Sequence, residues 1–158
     1  MTEQEFLETG RPNAYVLVGL PGVGKSTWVS GRGPVASSDS FIELMAKALG
    51  MTYNEAFPKA IKAAEANFWD SLDGWDRDIY IDRTNLTVKS RARLFKALPN
   101  HTFTAIVFPT PSDWKERLAG RPGKQIPEHV LRSMDQGYQP PTLDEGFHEI
   151  IVDPCGPQ

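Results

Sequence analysis

The run Gly19-Leu20-Pro21-Gly22-Val23-Gly24-Lys25-Ser26 restricts this chain more than any other stretch. It fits the pattern G-x-x-x-x-G-K-[ST] in full. An apolar segment, Ala14 to Val18, precedes it, and helix-forming residues from Ser26 to about Ser30 follow it. A strand, a glycine-rich turn and a helix in that order make a cradle for phosphate. Glycines let backbone N–H groups approach phosphate oxygens with no Cβ in the way. The helix N-terminus adds partial positive charge. Lys25 would reach the outer phosphates of a nucleoside triphosphate. The Ser26 hydroxyl, with Thr27 beside it, would meet Mg2+. The bland alternative is a glycine-rich turn that binds nothing. Strand, loop, lysine and serine together speak against it.

The rest of the chain alternates strands and helices. Val35 to Ser37 is a second strand, and Asp39 or Ser40 caps a helix that runs to about Leu49 and stops at Gly50. Thr52 and Glu55 fit a capping box. Pro58 sits too deep for that helix to continue straight, so a new helix is expected from near Pro58 to Leu72. Ile79 to Ile81 is a third strand, followed by a helix over about Thr87 to Leu98. Val88, Ala92 and Phe95 mark its apolar face, and Lys89, Arg93 and Lys96 a basic one. Thr102 to Phe108 is a fourth strand. Ser112 caps a helix to about Ala119, and Gly120 to Gln125 is a basic, flexible turn. Pro127 opens a last helix to about Tyr138, and Glu149 to Val152 is a fifth strand. Such alternation predicts an α/β fold, a parallel sheet covered on both faces.

At 158 residues the chain suits one domain, expected over 1–158 with its core at about 14–152 and short polar tails. No apolar run approaches the roughly 20 residues of a membrane span. Met1 to Pro12 is polar and acidic, unlike a signal peptide. One cysteine, Cys155, cannot form an internal disulfide, which fits a reducing cytoplasm. The net charge of −3 does not advertise nucleic-acid binding. Basic residues nonetheless gather locally: Arg83, Lys89, Arg91, Arg93 and Lys96 stand in a stretch without acids, and Lys115, Arg117, Arg121, Lys124 and Arg132 form a second group.

Four further residues are candidates for chemistry. Asp82 ends a strand, where an acid often supports the metal; it could equally cap the next turn. Asp39 stands after the second strand, at the edge where open parallel sheets bind ligands. It could take a proton from an incoming hydroxyl, or serve as a helix N-cap. Arg117 and Arg121 flank Gly120 in the basic turn. They could stabilise the charge of phosphoryl transfer from a closing lid, or be solvated surface charges. His101, His129 and His148 lack metal-ligand spacing. Trp28, Trp69, Trp75 and Trp114 read as packing residues.

Three segments, GLPGVGKSTW (19–28), IDRTNLTVKSRARLF (81–95) and GKQIPEHVLRSM (123–134), together resemble the kinase domain of phage and animal polynucleotide 5′-hydroxyl kinases. The resemblance extends from about Ala14 to Val152. It implies a five-stranded P-loop kinase sheet in the order 2-3-1-4-5, ATP as donor, and the 5′ end of DNA or RNA as acceptor. It also implies Asp39 as the general base, Lys25 and Ser26 as the phosphate-loop pair, and Arg121 as the lid arginine. A phage-encoded protein acting in a host cytoplasm fits this reading. Two positions depart from the pattern. Ser38 and Ile42 stand where the family has arginines near the acceptor's phosphate. Lys89, Arg93 and Lys96, or Arg83, are expected to supply that charge instead. Two other readings stay open. One is a kinase of a modified base, nucleoside or other small molecule. The other is a nucleotide-binding module without transfer activity. Oligomeric state is not legible.

Overall fold

The computed structural model describes residues 10–155; the outer parts of the polar tails lie outside them. Its elements are β1 (Asn13–Val18), α1 (Lys25–Val29), β2 (Val35–Ala36), α2 (Ser38–Leu49), α3 (Tyr53–Leu72) and β3 (Ile79–Ile81). There follow α4 (Val88–Ala97), β4 (Thr102–Val107), α5 (Trp114–Ala119), α6 (Glu128–Gly137), a 3-10 turn at Leu143–Glu145, and β5 (Glu149–Val152). The strands form one sheet in the order β2-β3-β1-β4-β5, and every pairing is parallel. This is the expected order and the sheet of a P-loop kinase.

The two-residue period of a strand builds both cores from β1. Ala14, Val16 and Val18 face one side, where they pack with Phe68, Leu72, Leu94, Leu98 and Phe103. Leu17 faces the other, with Leu20, Val29, Ile106, Phe108, Trp114 and Leu118. Both faces of the sheet are therefore buried, and its carboxyl edge is left for ligands. A third cluster joins α2 to α3. Ala56, Ala60 and Ala64 recur every four residues and let Ile42 and Ala46 approach closely.

Several local expectations are corrected. Helix α3 does not restart at Pro58; it runs unbroken, with Pro58 in its second turn. The proline forfeits one i→i−4 bond, but it is exposed, so its ring meets solvent. The capping box holds the turn before it: Thr52 N–H donates to Glu55 Oε1 (3.0 Å) and Glu55 N–H to Thr52 Oγ1 (3.2 Å). Ser37, and not Asp39 or Ser40, caps α2; its hydroxyl accepts the Ser40 N–H at 3.3 Å. Asp113, one residue after Ser112, precedes α5. Helix α4 buries Arg91 and Leu94, while Val88 and Ala92 are exposed and Phe95 is half-buried. The cause is an ion pair. Arg91, wholly buried, sends Nε to Glu145 Oε1 (2.8 Å) and Nη2 to Glu145 Oε2 (3.1 Å), rotating the helix to suit.

Candidate active site

Strands β1 and β3 are neighbours, with Val16 opposite Ile81, so the loop after β1 and Asp82 after β3 leave the sheet together. They open into a cleft of about 830 Å³ at the carboxyl edge, within the size range of small-molecule sites. Pro21, Gly22, Gly24, Lys25, Ser26, Thr27, Asp39, Asp82, Arg117 and Arg121 all line it.

The phosphate loop is braced from below. The side chains of Leu20 and Val23 turn into the core, because an apolar side chain beside a buried sheet has nowhere better to go, which leaves the binding expected of them to their backbone amides. Gly19 is also engaged: its N–H donates to Thr84 O at 3.0 Å, so that amide does not serve a phosphate. A Cβ on Gly19 would stand 3.0 Å from Val23 and 3.1 Å from Phe108. Asn85, in the left-handed region at φ 49°, donates from Nδ2 to Leu17 O at 2.7 Å. Arg91 Nη1 donates to Asn85 O at 2.8 Å. Trp114 Nε1 donates to Pro21 O at 2.5 Å. Sequence reasoning found none of these braces. Their partners lie far apart in the chain, and an indole or amide hydrogen bond leaves no periodic signal.

The first-turn N–H groups of α1 have no intrahelical acceptor. Gly22 and Gly24 adopt φ 77° and 102°, which an L side chain resists. Lys25 is buried, and its Nζ donates to the carbonyls of Gly19 (2.8 Å) and Leu20 (2.7 Å). Burial pushes its pKa down to about 8. Asp82 and Asp39 oppose the shift, and Arg121 and Lys124 add to it. Ser26 Oγ donates to Asp82 Oδ2 at 2.7 Å. Burial raises the Asp82 pKa, with Asp39 adding to it, against the Ser26 hydrogen bond and the Lys25 charge. A hydroxyl and a carboxylate at this spacing fit Mg2+, which favours oxygen donors and takes few of them from protein.

Asp39 lies in the first turn of α2, exposed to the cleft. Tyr53 Oη donates to its Oδ1 at 2.5 Å, and Lys124 Nζ lies 3.3 Å from its Oδ2. Burial raises the Tyr53 pKa, and the Asp39 hydrogen bond raises it further.

The segment expected as a flexible turn is tied down at the α2–α3 corner. Asn54 N–H donates to Gly123 O (3.0 Å). Asn54 Nδ2 donates to Gln125 O (2.7 Å), and Gln125 N–H to Asn54 Oδ1 (2.6 Å). From this lid Arg121 reaches the cleft with its Nε and Nη2 buried and lacking hydrogen-bond partners. Buried cationic donors of that kind are costly unless an anion meets them. Arg117 also lines the cleft, paired with Asp113 at 3.0 Å.

The basic helix face stands outside the cleft lining. Lys89, Arg93 and Lys96 are absent from the cleft wall, and Arg93 stacks 3.9 Å over the Trp69 ring. Arg83 does line the cleft, yet its Nη2 is paired with Glu65 at 2.7 Å. Ile42 is fully buried between α2 and α3, so position 42 faces no ligand here.

Comparison with solved structures gives the same architecture. A kinase candidate from Chloroflexus aurantiacus is 23% identical, covering 89% of this chain and 88% of its own, with a TM-score of 0.60. Kti12 of Chaetomium thermophilum, in complex with ADP-AlF3, is 14% identical over 88% and 87%, with a TM-score of 0.56. Shikimate kinase from Acinetobacter baumannii, in complex with shikimate, is 22% identical over 93% and 86%, with a TM-score of 0.51. These likenesses describe the fold. A family model, the AAA domain, matches residues 15–141. A phosphate-loop motif on a 2-3-1-4-5 parallel sheet and a family match over most of its length agree: the chain belongs to the AAA domain family and has the fold of a P-loop kinase.

Proposed function

We propose that the protein is an ATP-dependent phosphotransferase that moves the γ-phosphate of ATP to a hydroxyl group. The observation carrying this is the convergence of Asp39, Lys25, Ser26, Asp82 and Arg121 on one cleft. A pure binding module would not need a carboxylate facing the phosphate loop.

In this reading the amides after Gly19 and the Lys25 ammonium hold the β- and γ-phosphates. Ser26 and Asp82 would hold Mg2+, which would supply neutralisation of the phosphate charge. Asp39 accepts the proton of the acceptor hydroxyl. The acceptor oxygen bonds to the γ-phosphorus, the bond to the β–γ bridging oxygen breaks, and ADP leaves. Arg121 sits where negative charge spreads over the transferring oxygens. Its unsatisfied donors are then matched by phosphate, with no reorganisation at the moment of transfer. The lid over this chamber excludes water and limits hydrolysis.

For the acceptor, the sequence resemblance supports the 5′-hydroxyl of DNA or RNA. A nucleoside, modified base or other small molecule is the second reading, favoured by the acceptor wall described below. The test is a transfer screen with γ-labelled ATP and Mg2+ over 5′-hydroxyl oligonucleotides, nucleosides and small alcohols. Label appearing on an acceptor, with ADP release that depends on it, is expected. ATP binding with no acceptor-dependent ADP release would instead identify a non-catalytic module.

A further inference from the structure

The cleft extends past Asp39 into a chamber whose walls differ from those around the phosphate loop. On α3, Tyr53, Phe57 and Ile61 line it, four residues apart and so on one helical face. Phe57 is 41% exposed, a large apolar surface left open to the cleft. On α6, Val130 and Met134, also four apart, line it as well. The chamber thus lies between two apolar helix faces.

Its carboxylates outnumber the lysine they share. Two carboxylates on α2, Asp39 and Glu43, stand one turn apart. Both meet Lys124, at 3.3 Å and 2.8 Å. The lysine is only 19% exposed and sits 4.5 Å over the Tyr53 ring. Of the other cations lining the cleft, Arg83 is engaged by Glu65 and lies 4.6 Å over the Phe68 ring, Arg117 is paired with Asp113, and Lys25 and Arg121 serve the donor phosphates in the reading above. A phosphate entering beside Asp39 would meet two carboxylates, Asp39 and Glu43, whose shared lysine they already hold. Desolvating an anion beside carboxylates is unfavourable. A neutral body with a flat or apolar face meets no such penalty and buries Phe57 and Ile61.

Building on the phosphotransferase reading, and choosing between its acceptor classes, we propose that the acceptor is an uncharged alcohol with an apolar or flat body. A nucleoside without phosphates is one example. Glu43, through its hold on Lys124, is the residue that turns phosphate-bearing acceptors away. The reaction is the one already written: the alcohol oxygen takes the γ-phosphoryl group, its proton goes to Asp39, and ADP leaves.

The experiment uses the full chain, Mg2+ and γ-labelled ATP with matched acceptors. Thymidine and thymidine 3′-monophosphate share a 5′-hydroxyl and differ in the phosphate. A 5′-hydroxyl oligonucleotide and benzyl alcohol complete the set. Labelling of an uncharged acceptor, with kcat/KM about tenfold or more above any phosphate-bearing one, is expected. Preference for thymidine 3′-monophosphate or the oligonucleotide overturns the proposal and leaves the phosphotransferase reading intact. No label on any acceptor removes both. Glu43→Gln supplies a second readout, because Glu43 is exposed and loss of its charge leaves Lys124 paired with Asp39 alone. Its KM for the phosphate-bearing acceptor should fall about tenfold, the worth of one charge-assisted hydrogen bond. An unchanged KM overturns the role given to Glu43.

Discussion

Lys25 shows how burial sets a function's pH range. Its pKa is lowered to about 8 from 10.5, with burial the first cause. Between those values the unfolded chain carries a proton that the folded chain has lost. This lysine's contribution to stability therefore rises with pH across that window, and its penalty is in full force below it. Nucleotide binding runs the other way, because only the ammonium attracts phosphate. ATP affinity should fall as pH rises through about 8, by up to about tenfold per pH unit. Titration calorimetry over that range checks it. Lys25→Arg should lose the dependence, since a guanidinium stays charged; a variant that keeps it would place the titration elsewhere. Gly22 carries the loop's turn at φ 77°, and a Cβ there would stand 2.7 Å from Leu118 Cδ2. Gly22→Ala should cost about 1–2 kcal/mol in urea unfolding and weaken ATP binding. A fully stable variant with native ATP affinity would contradict the loop geometry.

At the scale of elements, α4 is fixed by a partner that its own sequence does not reveal. Arg91 reads as one member of a basic surface run, yet it is the largest fully buried side chain. Glu145, 54 residues on, draws it in. Burial alone would raise the Glu145 pKa; the Arg91 hydrogen bonds, the Thr142 N–H and the Arg91 charge together outweigh it and leave the carboxyl below its ordinary value. Glu145→Ala strands the buried guanidinium and should cost about 3–5 kcal/mol, measured by chemical denaturation. A loss within the range of an ordinary surface substitution would show that the pair does not hold α4. The same limit on sequence reading appears at α3. Pro58 signals a break by local rules, but an exposed proline in a capped and alanine-packed helix is tolerated. The lid shows it again, because Asn54 and Gln125 meet across 71 residues. Local pattern located the strands, the capping box and the phosphate loop. Contacts between distant polar side chains carry no period and stayed hidden.

Across the whole molecule, the alternation of strands and helices made a parallel sheet legible, while its order came from the resemblance alone. The sheet then does most of the positioning. Parallel β1 and β3 deliver the phosphate loop and Asp82 to one edge. β2, paired to β3, ends one residue before the α2 cap and so presents Asp39 beside them. The acceptor chamber was less legible. Its character depends on which carboxylate holds which cation, and that is set by tertiary contacts among α2, α3 and the lid. The most direct measurement compares wild type with Asp39→Asn, following label transfer from γ-labelled ATP to the best acceptor and ATP binding by calorimetry. The account predicts that transfer falls about 10²–10⁴-fold, the worth of a positioned general base, while ATP affinity stays near wild type. Equal transfer by both proteins would contradict it.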